Sequence, residues 1–158
     1  MSKSNDWKGQ MRGLSEKEMR EFLSEPWVAR IATLKPNNNP YLSTVWYEYD
    51  HPNFYLGGRE KSEWVANLKH DPHIALHVAE DKAPFTRILA EGVAEILDGP
   101  VGITGRWVEI ANRMATRYLG EHGPEYLVPT MDRRRYWIKV VPDTITSWTG
   151  VEWHKKYL

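Results

Sequence analysis

Apolar and polar positions change their rhythm several times along this chain, and each change marks an element. After Ser15-Glu16-Lys17-Glu18, a capping-box pattern, the apolar residues Met19, Phe22 and Leu23 fall at helical spacing. Leu14 and Met19 flank the cap as a hydrophobic staple, and Pro26 ends the helix. Trp27 to Leu34 reads as a strand, and Lys35 to Pro40 as a turn rich in Asn and Pro. Tyr41 to Asp50 carries apolar bulk on both faces, which predicts a strand covered on both sides, by the core and by a partner or ligand. A turn at Asp50-His51-Pro52-Asn53 leads into the strand-like NFYLGG. Next comes a basic, small-residue loop, Gly57 to Ser62, and a short helix from Trp64 to Lys69 that stops at Asp71-Pro72.

The second half continues in the same way. Ile74, Leu76 and Val78 alternate with His73, Ala75 and His77, predicting a strand over 73–80. Thr86 to Leu97 is a longer strand with a bend or bulge at Gly92. Pro100 and Gly102 break the pattern. Trp107, Ile110, Met114 and Tyr118 then sit at helical spacing within a helix from Arg106 to Leu119, stopped by Gly120. A second short helix starts at Pro124. Arg135 to Val141 alternates again, and Thr144 to Trp148 extends it past Pro142. The predicted architecture is mainly β: about six antiparallel strands in a barrel or sandwich, with an N-terminal helix and a helical insert before the last strand. Residues 1–13 lack periodicity and read as a mobile arm, leaving 14–158 as one domain.

Composition narrows the functional classes. Of 158 residues, 21 are Lys or Arg and 21 are Asp or Glu, so the net charge is zero and no nucleic-acid partner is expected. There is no cysteine, which removes disulfides, thiolate metal sites and cysteine nucleophiles. The N-terminal MSKSNDWKGQMRG lacks the apolar run of a secretory signal, and no stretch approaches the roughly 20 apolar residues of a membrane helix. A soluble, cytoplasmic protein is the expectation. Eight Trp and eight Tyr against three Phe favour half-wet settings such as interfaces and ligand clefts, although β-rich domains are aromatic-rich in any case.

Three chemical signals bear on function. The cationic loop with Arg59, Lys61 and Ser62, opening a helix, offers backbone N–H groups and positive charge to a phosphate, although exposed turns are commonly polar too. His73 and His77 would share a metal only on a helix; in a strand they lie about 13 Å apart along the axis, so no metal site is expected. No Gly-x-Ser-x-Gly and no suggestively spaced carboxylate pair is present, and no catalytic side chain is assigned.

Five pieces in order, EPWVARIATL after the N-terminal helix, NPYLSTVWYEYD, NLKHDPHIALHVAED, LAEGVAEI and the late strand ending at Ser147-Trp148, resemble the pyridoxamine 5'-phosphate oxidase-like split barrels that bind flavin or deazaflavin. The resemblance runs from about Ser15 to Trp148. It implies a split β-barrel homodimer with the cofactor in a groove between subunits. FMN is favoured, with the deazaflavin coenzyme F420 as the alternative. The implied activity is hydride transfer to or from a small organic substrate. In that frame Ser43, Thr44, Val45 and Trp46 run along the flavin, and Arg59, Lys61, Ser62 and Trp64 surround its phosphate. Trp148 packs against the ring bound by the other subunit, and His154 and Lys155 are candidate substrate contacts. One departure stands out. Many members read Ser-Arg-Lys where this chain reads Ser62-Glu63-Trp64; Arg59 and Lys61 would then supply the missing charge, and Trp64→Lys is expected to preserve or tighten binding. The alternatives are a non-catalytic flavin carrier or sensor, and an aromatic-rich interaction barrel without cofactor.

Overall fold

A computed structural model describes residues 11–158. The elements are α1 (Glu16–Leu23), β1 (Ala29–Leu34), β2 (Pro40–Val45), β3 (Glu48–Asp50), β4 (Asn53–Arg59), α2 (Glu63–His70), β5 (His73–Ala79), β6 (Arg87–Val101), α3 (Trp107–Leu119), α4 (Gly123–Leu127) and β7 (Arg135–Trp148). Short 3₁₀ turns follow α4 at Val128–Thr130 and end the chain at Lys155–Tyr157. Among the described residues no helix is long and apolar enough to cross a membrane.

All strands belong to one seven-stranded sheet in the order β2-β1-β5-β6-β7-β4-β3, every pairing antiparallel. Its two edge strands, β2 and β3, are neighbours in sequence, joined only by Trp46 and Tyr47. That short link draws the ends of a curled sheet together: the arrangement is a split barrel. The expected single strand over Tyr41–Asp50 is therefore two strands, and the described residues form seven. The break falls where Tyr47 turns fully into the core and its hydroxyl donates to Leu23 O at 3.0 Å.

The alternation over 73–80 is confirmed. Ile74, Leu76 and Val78 are buried, while His73, Ala75 and His77 face outward. They join Ala29, Ile31, Phe54, Leu56, Ile88, Ile138 and Val140 in the barrel core. Gly92 does mark an irregularity: a Cβ there would lie 2.1 Å from Val141 O, and the β6–β7 register shifts between Glu91 and Gly92. Strand β6 also runs through Pro100, where the sequence predicts a break, by shifting register twice more between Ile96 and Val101. A second, smaller core lies under the helical insert, where Trp107 stacks on Trp137 with centroids 4.9 Å apart, next to Ile103, Ala111, Ala115 and Leu127.

At the N-terminus the capping box forms as read: Glu18 N donates to Ser15 Oγ (3.2 Å) and Ser15 N to Glu18 Oε2 (2.8 Å). The expected mobile arm lies mostly outside the described residues. Its last part, however, pairs with the chain after β7, where Arg12 and Thr149 exchange backbone hydrogen bonds of 3.0 and 2.9 Å.

Candidate functional site

The predicted cationic loop is shorter than the sequence suggested. Strand β4 carries Gly57, Gly58 and Arg59, leaving only Glu60 and Lys61 as a turn before Ser62 caps α2. Ser62 N donates to Arg59 O (2.9 Å) and Ser62 O accepts from Ala66 N (3.2 Å), so the turn flows straight into the helix. The Ser62 side chain makes no capping bond, which leaves its hydroxyl free for a ligand. The first-turn N–H groups of a helix have no acceptor within it, so Glu63, Trp64 and Val65 present donors at the same place.

Helix α2 is pressed hard onto the barrel. A Cβ at Gly58 would lie 2.4 Å from a Val65 methyl and 2.8 Å from the Trp64 ring, so only glycine permits this approach. Trp64 is 6% exposed and belongs to the barrel core with Val65 and Leu68. Asn67 Nδ2 donates to Thr33 Oγ1 at 3.1 Å, a buried bond that fixes the helix to β1. Trp64, expected near the phosphate, is thus a core residue. The position where the resembling family carries a lysine has been given to packing against Gly58, and Trp64→Lys would disrupt that packing.

The charge at the start of α2 comes from several elements. Arg59 and Lys61 are exposed. Glu63, the residue in place of the family's arginine, is offset by Lys35 in the β1–β2 turn, 3.3 Å away. On the other side the turn before β7 approaches: Glu60 N donates to Arg134 O (3.1 Å), and Arg134 Nη2 pairs with Glu60 Oε1 (3.4 Å). Lys35 and Arg134 were missed in the sequence because each is remote from the loop; the run Asp132-Arg133-Arg134-Arg135 in front of a strand was the available signal. Arg135 itself serves the fold, donating to Thr130 O (2.8 Å), Thr130 Oγ1 (2.9 Å) and Arg133 O (2.6 Å). Burial, then Arg133, lowers its pKa.

The remaining candidates lie elsewhere. In β2, Ser43 and Val45 share the inward side with Tyr41, opposite Ile31 and Ala29, whereas Thr44 points outward and is exposed. Helix α2 packs on both β1 and β2, so this strand and the helix start flank one side of the barrel. Trp46, past the end of β2, stacks on Tyr118 (centroids 5.0 Å, 17°) and tilts against Tyr126 at 6.3 Å; it anchors the helical insert. Trp148 ends β7, 14 residues long, at the opposite end from Arg135, the partner of Arg59. There Arg87 lies over its ring at 4.7 Å. One chain therefore joins Arg59, Lys61 and Ser62, flanked by β2, and holds Trp148 apart from them.

An ion network around the buried Glu48 joins residues far apart in sequence. Glu48, 7% exposed, accepts from Arg117 Nη2 (2.7 Å) and Arg113 Nε (3.3 Å), and Arg117 also donates to Tyr47 O. It ties α3 to the β2–β3 junction, and burial drives the Tyr47 hydroxyl pKa upward. Among the described residues no group of three or more His, Asp or Glu side chains is placed to hold a metal ion. His73 Nδ1 instead meets Asp71 Oδ1 at 2.6 Å.

The model of the family described as pyridoxamine 5'-phosphate oxidase matches residues 15–149. No curated protein matches the chain. Solved structures with a similar fold include a conserved hypothetical protein from Mycobacterium tuberculosis (TM-score 0.70, 23% identity, covering 86% of this chain and 85% of that one). The haem storage protein HutZ from Vibrio cholerae gives a TM-score of 0.65 at 18% identity, covering 87% and 97%. An F420 reductase gives 0.60 at 22% identity, covering 80% and 94%. At these identities the likeness is one of fold. The family match spans most of the chain, and the chain belongs to the pyridoxamine 5'-phosphate oxidase family.

Proposed function

We propose that this protein is a flavin-dependent oxidoreductase that moves hydride between bound FMN, or the deazaflavin coenzyme, and a small organic substrate. The observation that carries the reading is the start of α2. Free N–H donors and the uncapped Ser62 hydroxyl lie there beside the exposed Arg59 and Lys61, while Lys35 and Arg134 offset the neighbouring Glu63 and Glu60. These groups suit a phosphate, and Lys35 offsets the one acidic residue of the first turn, Glu63. Family membership and the fold shared with an F420 reductase support the same cofactor class.

When bound, the cofactor supplies the hydride chemistry. The chain's own residues bind and orient. Ser62, Arg59 and Lys61 hold the phosphate, while the exposed Thr44 hydroxyl and the β2 backbone offer small hydrogen-bonding groups along the ring, Ser43 facing the inward side. Trp148 completes the site from a second copy, since it stands at the far end of β7 from Arg59. A homodimer also agrees with the outer face of the sheet. Leu42 is 73% exposed there and pairs with Ala32, which pairs with Ala75, an apolar row left open among the described residues. His77 lies in the adjoining row, where burial, then Arg30 and Arg87, lowers its pKa.

Titration of the purified protein with FMN, with the deazaflavin coenzyme and with haem tests the reading. Saturable binding of either redox ring, followed by turnover with a reductant and an acceptor, is expected. Binding without turnover would make the protein a carrier or sensor, and a Soret band with haem alone would replace the flavin reading.

A further inference from the structure

A cavity of about 470 Å³ opens beside Trp148, away from the start of α2. Its walls come from four parts of the chain: the segment at Arg12, the beginning of β6 at Arg87, the end of β7 at Ser147 and Trp148, and the C-terminal turn with His154 and Lys156. No aspartate or glutamate lines it. Of its cations Arg12 is already satisfied, gripping Glu18 through both guanidinium ends at 2.8 and 3.1 Å. Arg87 is not. It donates to Phe85 O (2.8 Å) and rests on the Trp148 ring, with no carboxylate partner among the described residues, and burial lowers its pKa. Lys156 sits over Tyr157 at 4.8 Å, likewise without a described acidic partner.

The hydrogen-bond assignments sharpen the polarity. His154 Nδ1 accepts from Lys156 N (3.2 Å), which leaves the Nε2 proton of the neutral ring to donate outward. Ser147 Oγ accepts from Leu14 N (3.0 Å), so its own proton is also free to donate. Guanidinium, ammonium, imidazole and hydroxyl thus all offer protons to one space that holds no acidic acceptor. A guanidinium held over an indole, here at 4.7 Å, keeps its fork available to an oxyanion. The volume is within the usual range for small-molecule sites, roughly 300–1,000 Å³.

We propose that this cavity is an anion site that takes the carboxylate or phosphate of a small organic molecule, with Arg87 as its main ligand and Lys156, His154 and Ser147 as supporting donors. Naming that anion as the substrate's recognition group rests on the oxidoreductase reading above, because Trp148 is the residue assigned there to reach the cofactor. The binding itself does not depend on it.

Calorimetric titration of the full chain with benzoate and phenyl phosphate, and with benzyl alcohol as the uncharged control, tests the site. Wild type is expected to bind at least one anion saturably and not the alcohol. Arg87→Gln and Lys156→Gln should each weaken the anion about tenfold or more, the usual effect of losing a charge-assisted contact. Lys17→Gln, an exposed cation of α1 outside the cavity, should bind it as wild type does. Lys156 lies in an exposed turn, so its variant stays informative if the Arg87 change impairs folding. Absence of anion binding, wild-type affinity in both glutamine variants, or an equal loss in Lys17→Gln would overturn the proposal. FMN titration of the same samples separates the two claims: FMN binding without anion binding removes the cavity alone, and anion binding without cofactor binding removes the oxidoreductase reading alone.

Discussion

Replacing Trp64 by lysine puts the departure from the resembling family under direct test. The indole is 6% exposed, packed with Val65 and Leu68 and lying where a Gly58 Cβ would come within 2.8 Å. Removing a buried Trp side chain typically costs about 3–5 kcal/mol. A lysine stem refills part of that space, but its ammonium must either stay buried or snorkel out and leave the void open. The cost should remain within that range. For a chain of this size each kcal/mol moves the melting temperature by about 2–4 °C, so a fall on the order of 6–20 °C is expected in a calorimetric scan. Cofactor affinity should not improve, because the side chain starts from the core side of the helix. A melting temperature within a degree or two of wild type, together with tighter FMN binding, would show that position 64 faces the phosphate and that this packing account is wrong.

The double change R59A/K61A should weaken FMN or deazaflavin binding about tenfold or more while leaving the melting temperature nearly unchanged, since both side chains are exposed; equal affinities in a fluorescence titration would reduce the loop to a polar turn. Leu42→Asp, on the uncovered face of β2, should shift a dimer to monomer in sedimentation at micromolar concentration, and an unchanged association state would place the interface elsewhere. The Glu18 carboxyl is held down to about 2 from 4.5, first by the hydrogen bond from Arg12 and then by the Ser15 backbone N–H. A depressed carboxylate stabilises above its unfolded value and loses that contribution as pH falls through its folded one, so Glu18→Gln should lower the melting temperature at pH 7 and flatten its decline between pH 4.5 and 2. Parallel pH curves for the two proteins would contradict the capping assignment.

Local rules made much of the barrel legible. The Ser15–Glu18 box, the alternation of Ile74, Leu76 and Val78, and the bulge at Gly92 are each decided by residues close in sequence or by one backbone requirement. The break at Trp46-Tyr47 was not legible, because both halves are edge strands with apolar residues, and what divides them is the closure of the barrel. Nor was the role of Trp64, for a tryptophan at the start of a helix reads equally as a ligand wall or as core; only the glycine on the neighbouring strand decides it. Glu48 meets Arg117 from 69 residues away, and Lys35 meets Glu63 across the β1–β2 turn, so charge counting within one loop could not find them. The cationic loop was recognised, but its full rim depends on the turn before β7, which pairing brings alongside β4.

The central claim is that the start of α2 holds the phosphate of a redox cofactor. The absorption spectrum of the protein mixed with FMN and with the deazaflavin coenzyme, recorded for wild type and for R59A/K61A at equal concentration, tests it most directly. The account predicts a perturbed flavin or deazaflavin band that saturates with wild type and requires about ten times more cofactor with the double variant. Spectra identical to free cofactor for both proteins would contradict it.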